Sequence, residues 1–196
     1  HRDLHSFPTR RSSDLRLVSL VNGDAALWAA LEAVAAATVA AYGRGGRLWL
    51  AGNGGSAADA QHLAAELAGR FRLDRGALFA EALHCNTSYL TAVANDYGYE
   101  QVYERLLRGC ASAGDVVWLF STSGNSPNII RAAQAAAERH CVVVGFTGEG
   151  GGKIAPYCTH LLAVPSRDTP RIQEVHILWG HLLCEQIEGQ MFAMNG

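Results

Sequence analysis

The chain has 196 residues, enough for one domain with a full core. Apolar residues make up 49% and charged residues 17%, and the formal net charge is −2, which gives no global handle for nucleic acid or an anionic membrane. Any anion site must therefore be local. The five cysteines, Cys85, Cys110, Cys141, Cys158 and Cys184, are widely spaced without a C-x-x-C pair. That argues against a disulfide framework or a thiolate zinc site, and fits small buried hydrophobes in a reduced, cytoplasmic protein. No apolar run is expected to reach membrane-spanning length, and no signal peptide pattern opens the chain.

Residues 1–15, His1 to Leu15, are rich in Arg, Ser and His, lack periodicity and read as a leader foreign to the fold. Residues 16–196 then form a single domain. Asp24 to Tyr42 is an alanine-rich helix, with Asp24 placed as N-cap and glycines closing it. Arg47 to Ala51 is an apolar strand that runs into Gly52-Asn53-Gly54-Gly55-Ser56, and a helix from Ser56 to Arg70 follows directly. Ala77 to Leu83 reads as a strand, and Thr87 to Ala94 as a short helix ended by Asn95-Asp96-Tyr97-Gly98. Tyr99 to Ala111 carries helical periodicity. Val116 to Phe120 is a wholly apolar strand, followed by the turn Ser121-Thr122-Ser123-Gly124-Asn125-Ser126-Pro127. Ser126 is the expected N-cap and Pro127 the first-turn residue of a helix that runs to about Arg139. Cys141 to Phe146 is the next strand, Gly148 to Gly152 a flexible glycine run, His160 to Val164 the last strand, and Pro170 to about Gly189 a long helix.

Continuous apolar strands alternating with helices predict an α/β three-layer sandwich around a mostly parallel five-stranded sheet. Both small-residue turns follow strands, which puts them at the carboxyl edge, where open α/β sheets bind ligands. The first turn matches G-x-G-x-x-A at Gly52, Gly54 and Ala57, but a lone match of this kind is weak evidence for a dinucleotide, and no G-K-[ST] is present. The second turn gathers Ser121, Thr122, Ser123 and Ser126 at one helix start. Such a turn suits a compact phosphate monoester held by neutral donors and the helix dipole. Taken alone it is as well read as a serine-rich cap; two such turns at one edge favour binding.

One turn into the first of these helices, His62 and Glu66 stand i, i+4 and share a face. The last helix offers Gln173, Glu174, His176 and His181, and spacing does not choose between the two histidines. If the two helices meet, a Glu and a His would face each other beside a sugar phosphate. That pair suits proton transfer next to a carbonyl, as in aldose–ketose isomerisation through an enediol. His62, Glu66, Gln173 and His181 also read as a possible zinc set.

Gly52-Asn53-Gly54-Gly55-Ser56, Asp59-Ala60-Gln61-His62 with Glu66-Leu67-Ala68-Gly69-Arg70, Asn95-Asp96-Tyr97-Gly98, Gly114-Asp115, Ser121-Thr122-Ser123-Gly124-Asn125-Ser126 and Arg171-Ile172-Gln173-Glu174 together resemble the phosphoheptose isomerases of the sugar isomerase (SIS), flavodoxin-like fold. The resemblance runs in order from about Leu20 to Ile187. It implies interconversion of D-sedoheptulose 7-phosphate and D-glycero-D-manno-heptose 7-phosphate, the first step of bacterial heptose-nucleotide synthesis. By this resemblance Asn53, Gly54, Gly55, Asn95, Asp96, Ser121, Thr122, Ser123, Ser126 and Gln173 bind substrate. His62, Glu66, Gln173 and His181 match zinc ligands, and Glu66 and His181 match the acid/base pair. The family resemblance, not spacing, selects His181 over His176. It also implies a cytoplasmic homotetramer with shared active sites, acting on a phosphorylated seven-carbon sugar and on neither nucleic acid nor membrane. Two departures stand out: an N-terminal helix that many relatives carry before Leu20 is replaced here by the foreign segment, and Pro170 stands where some relatives have Asp. The rival readings are a non-catalytic SIS protein that associates with the replication initiator, and a sugar-phosphate-binding regulator. The first resembles this chain less at Glu66, His181 and Ser123, and the second needs a DNA-binding domain for which the chain has no room.

Overall fold

The computed structural model describes Leu17 and residues 19–192, so the expected leader at His1 to Leu15 lies outside the described residues. Residues 19–23 are helical, and Leu17 and Val21 are buried in the core, so helix precedes Asp24 where the sequence pattern predicted none. Helix α1 (Ala25–Gly43) then starts as expected, with the Asp24 carboxylate accepting from the N–H groups of Ala26 and Leu27.

Five parallel strands, β1 (Leu48–Ala51), β2 (Ala80–Ala82), β3 (Val116–Ser121), β4 (Val142–Thr147) and β5 (His160–Ala163), form one sheet in the order β2-β1-β3-β4-β5. Helices α2 (Gly55–Ala68), α3 (Thr87–Tyr97), α4 (Val102–Cys110), α5 (Pro127–Glu138) and α6 (Thr169–Phe192) connect or follow them. Successive side chains of a strand point to opposite faces. Leu48, Leu50, Trp118, Phe120 and Val144 pack under α1, α2 and α6, while Trp49, Val117, Leu119 and Val143 pack under α4 and α5. Burial on both faces explains why these strands read as unbroken apolar runs. The sheet is parallel throughout its described pairs, and the three-layer α/β expectation holds.

Several boundaries differ from the pattern-based reading. The edge strand β2 is shorter than Ala77 to Leu83, because the Leu78 N–H is taken by the Leu67 carbonyl at the end of α2, 3.2 Å away. Helix α3 continues through Asn95, Asp96 and Tyr97, and ends only at Gly98, whose φ of 94° lies in the region that favours glycine. The stretch from Tyr99 opens as a 3-10 turn at Tyr99–Gln101 before α4 begins. Contrary to the expectation about apolar runs, α1 is long and apolar enough to cross a membrane, at 19 residues and mean hydropathy 1.5. Alanine raises hydropathy without adding bulk, and Leu31, Val34, Ala35, Thr38 and Ala41 of this helix are buried in the protein's own fold.

Two contacts lock these layers together. Asp115, at the start of β3, is 2% exposed, and its carboxylate accepts from the Arg47 N–H at 2.9 Å, the Ser112 N–H at 3.0 Å and the Trp49 indole N–H at 3.0 Å. It ties the beginnings of two neighbouring central strands and satisfies an indole that would otherwise be buried unpaired. On the opposite layer, α2 and α6 cross at Leu63 and Gly180. A Cβ placed on Gly180 would lie 2.3 Å from Leu63 Cδ1 and 3.0 Å from its Cγ, and Leu63 is wholly buried. Only glycine lets the helices come this close.

Asp115→Ala leaves the buried Trp49 indole N–H and two part-buried backbone N–H groups unpaired and is expected to cost on the order of 2 kcal/mol in denaturant unfolding; an unchanged midpoint would show that the carboxylate does not hold the strands. Gly180→Val forces the α2–α6 contact apart and is expected to cost about 1–3 kcal/mol, read as a lowered thermal midpoint.

Candidate active site

The first turn is built by glycine. A Cβ on Gly52 would stand 2.3 Å from the Ser56 carbonyl, Gly54 has φ +56°, and a Cβ on Gly55 would stand 2.7 Å from Gln173 Nε2. The chain can therefore leave β1, turn within three residues and enter α2 only without side chains there. Its shape is held from outside: the Tyr103 hydroxyl donates to the Gly52 carbonyl at 2.6 Å. The Asn53 and Asn128 amides exchange two hydrogen bonds, of 2.9 and 2.8 Å, and the Tyr99 hydroxyl donates to Asn53 Oδ1 at 3.2 Å. The Asn53 side chain thus keeps one amide hydrogen for a ligand, alongside the backbone of the turn.

The second turn follows β3 and enters α5 through Ser126 and Pro127. Ser126 occupies the N-cap position, but its hydroxyl makes no cap bond, contrary to expectation; it lies 3.2 Å from the Ser121 hydroxyl instead. Ser121 is the donor in that pair, so the Ser126 hydroxyl hydrogen, at the positive end of the helix, stays available to an anion. The Ser123 hydroxyl accepts from the Asn125 N–H at 3.1 Å. The glycine run expected to be flexible is in fact packed against this turn. Gly148 N–H donates to the Thr122 carbonyl at 2.9 Å, and Ile154 N–H to the Gly124 carbonyl at 3.0 Å. A Cβ on Gly124, whose φ is +65°, would collide with the Gly151 carbonyl at 2.1 Å, so the glycines serve backbone-to-backbone contact. Beside the turn a cavity of about 310 Å³ is lined by Thr122, Ser123, Glu149, Ser166, Arg167 and Thr169.

Where α2 passes α6, three side chains converge. His62 Nε2 lies 2.9 Å from His181 Nε2 and 3.3 Å from Glu66 Oε1, and the ligating atoms of all three lie within 4.8 Å of one another. Two imidazole nitrogens and a carboxylate oxygen are the donor types of a catalytic zinc centre, so these residues fit such an ion. His62 is exposed, Glu66 and His181 half-buried, so the cluster opens to the surface. One turn before His62, Asp59 has a buried Oδ2 with no hydrogen-bond partner among the described residues, and burial raises its carboxyl above the usual range, with His62 opposing.

The tertiary structure separates the two histidines that spacing left open. His176 is fully buried among Phe120, Phe146 and Trp179, and its Nε2 donates to the Thr147 carbonyl at 3.0 Å. Burial lowers it to about 4, the Thr147 bond opposing, so it is a neutral core residue. His181 alone reaches the cluster. Gln173 covers Gly55 at the start of α2, and Asn95 and Asp96 bond each other at 2.9 Å on the exposed last turn of α3. Three residues of the site, Tyr99, Tyr103 and Asn128, carried no signal as site residues in the pattern; they act only because the fold brings them over the first turn.

A family model for the SIS domain matches residues 18–148. The chain is 51% identical over 170 residues to a phosphoheptose isomerase of Mycobacterium bovis, covering 87% of each chain. Its structure resembles that of phosphoheptose isomerase from Neisseria gonorrhoeae, with TM-score 0.87 and 39% identity over 94% of this chain and 98% of that one. It also resembles the enzyme from Francisella tularensis, with TM-score 0.89 and 30% identity over 95% and 98%. With a shared domain, half-identical sequence and one fold over nearly the whole length, this chain belongs to the phosphoheptose isomerase family of SIS-domain proteins.

Proposed function

We propose that this chain interconverts D-sedoheptulose 7-phosphate and D-glycero-D-manno-heptose 7-phosphate. The observation that carries the reading is the convergence of Glu66 with His181 across the α2–α6 crossing, in a family of isomerases. The phosphate sits in the serine turn, where Ser121, Thr122, Ser123 and Ser126 offer neutral donors at the start of α5. Asn53, Gly54 and Gly55 form the facing wall, with Asn95, Asp96 and Gln173 contributing to the sugar. Glu66 and His181 then act on the carbonyl carbon and the hydroxyl-bearing carbon beside it. One of them removes the proton from the hydroxyl-bearing carbon while the carbonyl oxygen is protonated, giving the enediol. The proton then returns to the former carbonyl carbon as the other hydroxyl loses its proton and becomes the new carbonyl. No atom is gained or lost. The two groups suit this because each stands in contact with His62 and is held on a rigid helix.

His62, Glu66 and His181, with Gln173 as fourth donor, would hold zinc, which when bound supplies Lewis-acid polarisation of the carbonyl. Activity in a homotetramer is supported by α1, whose Ala25, Ala29, Ala33, Ala36 and Ala40 present a smooth exposed face suited to close packing against another subunit. The pathway role is the first step of bacterial heptose-nucleotide synthesis, in the cytoplasm.

The test is an isomerase assay on sedoheptulose 7-phosphate. Glu66→Gln and His181→Gln are each expected to lower kcat by about 10²–10⁴-fold while circular dichroism stays unchanged; full turnover in both variants removes the acid/base assignment. Incubation with a chelator is expected to abolish turnover, with recovery on adding zinc, and a rate indifferent to chelation would remove the metal.

A further inference from the structure

Beyond the far end of α2, a second set of contacts bears on the same imidazole. Arg75 and Glu188 form an ion pair, Nε to Oε1 at 3.1 Å, with side chains 3% and 2% exposed. A buried pair of this kind is favourable only if its remaining donors and acceptors are satisfied. Here they are. Arg75 Nη1 donates to the carbonyls of Leu67, Gly69 and Gly76, and Nη2 to the Glu66 carbonyl at 2.9 Å. The last carbonyls of α2, which have no partner within the helix, thus end on a guanidinium. Glu188, on the last turns of α6, accepts from the N–H groups of Phe71 at 3.2 Å, Arg72 at 2.8 Å and Leu73 at 3.0 Å. The segment from Gly69 to Gly76 is therefore pinned to both helices that carry the site.

What this segment presents to the site is one ring. Phe71 stacks on His181 with ring centroids 5.8 Å apart and planes 19° from parallel. On another side of His181 the His62 ring meets it edge-on, at 5.1 Å and 80°. Arg72 stands 5.8 Å over the Phe71 ring and pairs with Glu185 at 2.7 Å. An imidazole on a half-exposed helix position would otherwise rotate about its broad terminal torsion.

We propose that Phe71, fixed through the buried Arg75–Glu188 pair, is a positioning residue that sets the plane of the His181 imidazole against His62 and Glu66. It rests on the isomerase reading in so far as His181 works on substrate, but the orientation itself is a property of this chain. Phe71 touches no reacting atom; it acts through His181. A residue that merely fills space there would be replaceable by any side chain of similar bulk, whereas a positioning ring requires a flat face.

The experiment compares Phe71→Leu, which keeps apolar bulk and loses the face, with Phe71→Tyr, which keeps both. Supporting contacts of this kind are worth about 10–100-fold in activity or metal affinity, so Phe71→Leu should lose kcat by that factor with KM within about twofold and no large change in thermal midpoint, while Phe71→Tyr behaves as the parent chain. In parallel, cobalt titration of both variants reads the site without turnover, and Phe71→Leu should bind the ion more weakly by about tenfold. If the parent chain fails to isomerise sedoheptulose 7-phosphate, the isomerase reading falls and the cobalt titration decides the positioning claim by itself. Phe71→Leu with the parent's kcat and cobalt affinity, or Phe71→Tyr as impaired as Phe71→Leu, overturns it.

Discussion

The approach of α2 to α6 at Leu63 and Gly180 is the contact on which the site depends. His62 is the neighbour of Leu63, and His181 the neighbour of Gly180, so the distance between the two helices sets the distance between the two imidazoles. A methyl group at Gly180 would push against a leucine that has nowhere to go. The site's geometry is thus inherited from a packing event in the core, one residue away on each helix. This also explains how chemistry from two elements separated by over a hundred residues meets within hydrogen-bond distance.

The remaining machinery follows from the parallel sheet. Because every strand runs the same way, the turns after β1 and β3 emerge at the same edge, and the helices that follow present their N-termini there. The two turns support each other directly, through the paired amides of Asn53 and Asn128, and the second is backed by the glycines after β4. Neither turn relies on a flexible loop. The two turns are therefore held in place before any ligand arrives, as a preorganised site requires.

Helices and strands were legible to within a few residues wherever both faces of a strand or one face of a helix are buried, since burial writes the period into the chain. The exceptions have local causes. β2 is short because the Leu78 N–H ahead of it serves α2, and α3 is long because its stop signal is Gly98 rather than the polar Asn95-Asp96 before it. The glycine run after β4 looked flexible because glycine frees a backbone in isolation; in the fold, the same lack of Cβ permits close packing.

The sequence by itself determined the fold class, the two small-residue turns at the sheet edge, the His62–Glu66 face and, through its motifs, the family. Each is encoded locally, in spacing along one element or in residues adjacent along the chain. The motifs chose His181 over His176 by resemblance, but only the tertiary structure supplied the physical reason, assigned Asn128 and Tyr99 to the first turn, and placed Phe71 on the His181 ring. Those outcomes depend on which residues of different elements come within a few ångströms. One histidine is turned into an aromatic core and neutralised by burial, while the other, five residues on, faces the partner helix. No period along a single helix distinguishes those two positions; the packing of a second helix does.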